Sequence, residues 1–270
     1  MSLSMLSSET VIGRLFLRFL PRLTMVRGAP VVGRVLHAVS RVLLPPEARV
    51  CVRIRKGPGK GLLIGVNPRT GTALYEGAME PLVQEAVREH LGAGMVFYDI
   101  GANIGLFSLI AARRVGKDGK VFAFEPDPDV SEELKRNMWR NGFSQVEVIH
   151  AAVCSTTGSG AFLRASRETS PDLGLGRLDT SRGGSSVDRV RTVALDDFVR
   201  SAPLPDVIKC DVEGAELDVL QGARSILERR KPVVVCEIHE GVEVTRISDF
   251  VHGLGYGLKW LDRNHVLCAR

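Results

Sequence analysis

Asp99-Ile-Gly-Ala-Asn-Ile-Gly105 constrains the fold more than any other stretch, because it joins the apolar run Met95-Val-Phe-Tyr98 to the helical pattern Leu106-Phe-Ser-Leu-Ile-Ala-Ala112. A strand, a tight glycine turn and a helix start in that order read as a nucleotide-type binding loop of an α/β sheet. Gly101 and Gly105 let the backbone turn sharply and approach a ligand closely. The free N–H groups of the first helical turn favour a carboxylate or phosphate. A strand-to-helix turn without any ligand is the plainer reading of this segment alone. A second apolar run, Val121-Phe-Ala-Phe124, ends in Glu125-Pro126 about twenty residues beyond, where a carboxylate can accept hydrogen bonds from both hydroxyls of a ribose.

The loop also indicates which nucleoside it suits. A dinucleotide cradle has the form G-x-G-x-x-G, but Asn103 replaces the second glycine and Leu106 stands where the third would fall. Asp99 precedes the turn, where it repels a pyrophosphate and suits an ammonium group. An adenosine bearing a zwitterionic amino acid, S-adenosylmethionine, therefore fits better than NAD: carboxylate toward the helix start, ammonium toward Asp99, ribose on Glu125.

Further along, Asp206-Val-Ile-Lys-Cys-Asp211 and Lys231-Pro-Val-Val-Val-Cys-Glu-Ile-His-Glu240 read as the fourth and fifth strands. If they are neighbours, Asp211, Glu213 and Glu216 stand beside Glu237, His239 and Glu240 at the carboxyl ends of the strands, where ligands bind in such sheets. Methyl transfer to an oxygen needs in-line alignment and removal of a proton. Asp211 or His239 is the expected base, with Glu213 and Glu237 orienting acceptor hydroxyls. A divalent cation on Asp211, Glu213 and Glu237 is the less favoured arrangement, and Glu216 can simply complement a helix N-terminus.

Four blocks carry a resemblance: Phe97-Tyr-Asp-Ile-Gly-Ala-Asn-Ile-Gly-Leu-Phe-Ser108, Phe124-Glu-Pro-Asp-Pro128, Val193-Ala-Leu-Asp-Asp197 and Ile208-Lys-Cys-Asp-Val-Glu-Gly-Ala-Glu216. In that order they resemble the FkbM family of S-adenosylmethionine-dependent methyltransferases, from about Tyr75-Glu76 to Glu237-Ile238. The resemblance implies a class I methyltransferase fold: a Rossmann-like, mostly parallel seven-stranded sheet with an antiparallel last strand and helices on both faces. It implies O-methylation of a sugar, glycolipid or secondary-metabolite hydroxyl, places Glu76 close to the cofactor, and puts the small residues Ala151 and Ala152 beside the adenine. The expected cofactor residues are thus Glu76, Asp99, Gly101, Asn103, Gly105, Glu125, Ala151 and Ala152.

Charge is divided unevenly. Residues 1–60 hold eleven Lys or Arg against two acidic residues, a net of +9, so the other 210 residues carry −4 of the total +5. The basic part, residues 1–48, reads as amphipathic helix that caps the domain, lies on an anionic membrane through residues 11–44, or serves in targeting. Residues 49–270 form the methyltransferase domain, opening with a hairpin and a lead-in helix from Thr72 to Leu91 (49–92). Residues 155–190, rich in Gly, Ser, Thr and Asp, break the strand–helix alternation as a long irregular loop, part of which reads as a lid over the acceptor, with a disordered insertion the alternative. Asp129 is expected to cap the helix that ends at Asn141-Gly142, and Leu217 to Arg229 to form one helix.

No apolar run approaches the length needed to cross a bilayer, and the five scattered cysteines read as thiols of a reducing cytosol, with contact at the inner membrane surface left open. A small-molecule or glycan acceptor is expected. Two other functions compete. A nucleic-acid methyltransferase is opposed by the acidic body and by carboxylates where a flipped base would sit, so no nucleic-acid partner is expected. A non-catalytic cofactor-binding scaffold predicts binding without turnover.

Overall fold

A computed structural model describes residues 48–164, 177–179, 188–239 and 244–270. The basic N-terminal segment, with its cap, membrane and targeting readings, lies outside them, as do much of 155–190 and Glu240. The described residues fall into two compact units, divided between Met79 and Glu80.

In the first unit, β1 (Val50–Arg53) pairs antiparallel with β2 (Leu63–Val66), the expected hairpin, and α1 (Thr72–Glu76) follows. Here the single lead-in helix is corrected. Gly77 ends α1 in the left-handed region (φ 74°), and a Cβ there would lie 2.2 Å from the Lys56 carbonyl oxygen. Glutamate 76 pairs with Arg55 at 2.8 Å.

The second unit begins with α2 (Pro81–His90), a fresh helix with proline in its first turn, where the missing N–H costs nothing. The spacing of Leu82, Val83, Ala86 and Val87 predicts one inward helix face; Val83, Ala86 and Val87 are buried, and Leu82 is half exposed. The chain then alternates through β3 (Val96–Ile100), α3 (Leu106–Val115), β4 (Lys120–Phe124), α4 (Pro128–Arg140) and β5 (Val146–Ile149). Asp127, not Asp129, caps α4: its carboxylate accepts from the N–H groups of Asp129 and Val130 at 2.8 and 3.2 Å. Pro128 occupies the first helical position, which fixes the cap one residue before it.

Next come β6 (Ala152–Val153), β7 (Gly158–Leu163), β8 (Arg177–Asp179) and β9 (Asp188–Val193), which form a separate four-stranded sheet in the order β6-β9-β7-β8. Part of the segment expected to be irregular is therefore paired strand. Short apolar pieces such as Ala161-Phe-Leu163, with Phe162 buried, provide its small core. After α5 (Leu195–Phe198) and β10 (Val207–Cys210), the expected 217–229 helix is split at Gly222 into α6 (Glu216–Gln221) and α7 (Arg224–Arg229). A Cβ at Gly222 would lie 2.2 Å from the Cys154 carbonyl oxygen, so this turn packs too tightly for a side chain. The chain ends with β11 (Val233–Glu237), α8 (Val244–Gly253), β12 (Gly257–Trp260) and β13 (His265–Ala269).

The principal sheet has the order β12-β13-β11-β10-β3-β4-β5. Its central strands are parallel, and β13 runs antiparallel between β11 and β12. The antiparallel final strand expected from the resemblance is present, inserted one place inside the edge. Alternate residues of the central strands, including Tyr98, Ile100, Phe122 and Phe124, pack onto Val219, Ile226, Ile247 and Val251 of α6 to α8. α2 and α3 pack on the central strands from their other sides. This is the class I methyltransferase architecture, and it aligns the carboxyl ends of β3, β4, β10 and β11. Among the described residues, no helix is long and apolar enough to cross a membrane. All five cysteines are free thiols.

Candidate functional site

Two chemically different groups of residues meet at these strand ends. The first is the glycine loop. Gly101 (φ +71) passes so close to the neighbouring strand that a Cβ would stand 1.7 Å from the Asp211 carbonyl oxygen. Gly105 (φ +94) lies against Leu134 and Met138 of α4, where a Cβ would be 2.3 Å from the leucine. Asn103 is also left-handed (φ 50°), and its side chain accepts from the N–H of Ile104 at 2.7 Å.

Glu125, at the end of β4, ties this loop down. Its two oxygens accept from the N–H of Asn103 (2.9 Å) and of Asp127 (2.8 Å), each retaining a second lone pair. Burial pushes its carboxyl up to about 8, against the pull of those two hydrogen bonds. Asp99 lies beneath the loop, not on its surface. It is fully enclosed, Ser108 Oγ donates to its Oδ2 at 2.5 Å, and its Oδ1 has no hydrogen-bond partner. Burial raises its pKa, while Lys209 and Ser108 draw it back. Ala151 and Ala152 are buried just beyond β5, and the exposed His150 bonds to the Pro126 carbonyl. Glu76 belongs to the first unit.

The second group is acidic. Lys209, missed by the sequence reading, is its electrostatic anchor: it faces Asp99 in register across β3 and β10, and its ammonium contacts Asp211 at 2.8 Å and the Gly101 carbonyl at 3.4 Å. Burial lowers its pKa, but Asp211 and Asp99 outweigh that and hold it above its ordinary value. The signal was available, since a lysine inside the apolar run Val207-Ile-Lys-Cys210 needs a buried partner. Asp211 feels the opposite pull: burial raises its carboxyl, and Lys209 wins and holds it low.

His239 gathers the expected catalytic residues. Its Nδ1 lies 2.6 Å from Glu216 Oε1, and its Nε2 lies 3.3 Å from Glu213, 3.7 Å from Asp211 and 3.8 Å from Glu237. The hydrogen bond to Glu216 raises its pKa to about 9, burial opposes, and Glu213 and Glu237 add to the rise. Glu213 (φ 56°) is raised by burial first, with Asp211, Glu237 and Glu216 pushing the same way against His239. Glu216 is completely buried, so it positions His239 and does more than complement a helix end.

Asp211, Glu237 and His239 offer ligand atoms within 4.8 Å of one another, as do Glu80, Glu237 and His265. Glu213 does not join the first set as the sequence reading expected. Glu80 and His265 were not anticipated, because they stand 185 positions apart in the sequence and nothing local marks the pair as neighbours.

A family model, the methyltransferase FkbM domain, matches residues 99–258, the span holding the glycine loop, Glu125 and most of the acidic cluster. The chain belongs to the FkbM methyltransferase family. The hexuronic acid methyltransferase AglP of Haloferax volcanii is 35% identical over 150 residues that cover 55% of this chain and 57% of that protein. Methyltransferase sdnD of Sordaria araneosa is 30% identical over 152 residues, covering 46% of this chain and 58% of that protein. The chain thus spans less than 60% of the length of either relative. Among solved structures, methyltransferase FkbM from Methylobacillus flagellatus KT aligns with a TM-score of 0.47 and 19% identity, over 75% of this chain and 54% of that one.

Proposed function

We propose that the chain transfers a methyl group from S-adenosylmethionine to a hydroxyl of a sugar, glycolipid or secondary metabolite. The carrying observation is the junction of the two groups: Gly101 lies against the Asp211 carbonyl, and Lys209 bonds to both segments. A ligand seated on the loop then has the acidic cluster as its neighbour. The hexuronic acid named for AglP supports a sugar acceptor, and the cluster's carboxylates suit hydroxyls while repelling nucleic-acid phosphates.

The residues suit the cofactor. A buried carboxylate with one unbonded oxygen, Asp99, puts negative charge under the loop for an ammonium, and Glu125 keeps lone pairs for ribose hydroxyls. Gly101, Asn103 and Gly105 shape the turn, Ala151 and Ala152 leave room for the base, and Glu76 remains assigned through the family. When bound, S-adenosylmethionine supplies a sulfonium-activated methyl carbon; the acceptor oxygen bonds to it as the carbon–sulfur bond breaks. The chain then has to align the acceptor and accept its proton.

His239 is already protonated at neutral pH, so it donates to the acceptor, and Asp211 is tied to Lys209. Glu213, the carboxylate whose basicity is raised, takes the proton, while Asp211 and Glu237 orient the hydroxyls. The described part of 155–190 is paired strand of the smaller sheet, and the lid expected for this segment falls on residues outside the described ones.

Incubation with methyl-labelled S-adenosylmethionine and a panel of uronic acids, hexosides and cell metabolites tests the reading by mass spectrometry. Label should appear as an O-methyl ether. Cofactor binding with no transfer to any hydroxyl would favour the scaffold instead.

A further inference from the structure

Glu237 stands between two imidazoles: its Oε1 lies 3.8 Å from His239 Nε2, and its Oε2 lies 3.5 Å from His265 Nε2. On the His265 side a third group joins, Glu80 Oε2, also 3.5 Å from His265 Nε2. The histidine is 94% buried by its 6% exposure, and its Nδ1 is taken by Asp262 at 2.8 Å, which aims Nε2 at the two glutamates. Yet Nε2 and Glu80 Oε2 are both enclosed with no hydrogen-bond partner. A shared proton would draw such charged pairs to about 2.7–2.9 Å. Around one ion with bonds of about 2.0–2.2 Å, ligand atoms instead sit from about 3.0 Å apart at octahedral corners to about 3.4 Å apart at tetrahedral ones.

We propose that Glu80, Glu237 and His265 bind a divalent first-row cation of the kind that accepts mixed oxygen and nitrogen ligands, such as Mn2+. Two carboxylates balance its charge, and Asp262 orients the imidazole ligand from behind, as carboxylates commonly do for metal-bound histidines. The ion joins the start of α2 to the ends of β11 and β13 and holds Glu237 by one oxygen, leaving the other toward His239. The inference stands on these ligand atoms and not on methyl transfer, so its test reads ion binding alone.

The test is calorimetric titration of Mn2+ into the EDTA-treated, dialysed full chain without S-adenosylmethionine. Wild type should bind saturably, His265→Gln and Glu80→Gln should each weaken binding at least ~10-fold, Asp262→Asn should weaken it ~10- to 100-fold, and His239→Gln should leave it unchanged. No saturable binding by wild type, or unchanged affinity in both ligand variants, overturns the site; so does loss in His239→Gln. If His265→Gln does not fold, pulsed electron paramagnetic resonance of Mn2+-loaded His239→Gln decides. Coupling to an imidazole nitrogen supports the assignment, and its disappearance overturns it.

Discussion

The loop side of the site and the acidic side are built by opposite means. Around Gly101 and Glu125, backbone does the positioning: left-handed glycines, two amide hydrogen bonds to one carboxylate, and a buried Asp99 held by Ser108. Around His239, side chains do it, and several of their contacts are 3.3 to 3.8 Å, longer than hydrogen bonds. A backbone-built pocket fits a ligand that never varies. A cluster of loosely spaced carboxylates can adjust to hydroxyls in different positions.

Lys209 and Gly101 join the two sides, so breaking the junction should have the largest effect. Gly101→Ala demands a Cβ where the Asp211 backbone already lies, with φ in the left-handed region; a loss on the order of 4 kcal/mol or more is expected in chemical denaturation. Lys209→Met leaves Asp99 and Asp211 without their buried counter-charge and should cost about 3–5 kcal/mol by the same measurement.

A sharper contrast comes from variants confined to one side. Glu213→Gln should lower kcat about 100-fold while cofactor affinity, measured by calorimetry, stays unchanged. An equal loss of both would erase the division of labour. Glu125→Gln gives the smallest effect, read as a pH trend. Because the folded carboxyl lies at about 8, above its value of 4.5 when unburied, its contribution is full below pH 4.5 and is lost as pH rises through 8. The melting-temperature advantage of wild type over Glu125→Gln should therefore be larger at pH 5 than at pH 9.

The same contrast governs how much could be read from the sequence. The loop side was legible because its determinants are local: Asp99 to Gly105 sit between a strand and a helix, and Glu125 ends the next strand. Asp211, Glu213, Glu237 and His239 also followed, since they flank two parallel strands whose adjacency the fold implies. Their protonation did not follow, because it depends on Lys209 and Glu216, which reach them only through packing. Glu80 and His265 meet through the antiparallel insertion of β13 beside β11, a pairing that no local pattern encodes. The helix breaks at Gly77 and Gly222 were also missed. At Gly77 the signal is present but weak, a left-handed glycine cap followed by Pro81 at the next helix start, whereas at Gly222 the close approach of the Cys154 carbonyl marks the break only once the chain is folded.

Calorimetry with S-adenosylmethionine and its demethylated product tests the central claim most directly, that the glycine loop and Glu125 form the binding pocket for the methyl donor. One site per chain is predicted for both compounds, with affinity lost in Glu125→Ala. Absence of binding by either compound to the folded wild-type protein would contradict it.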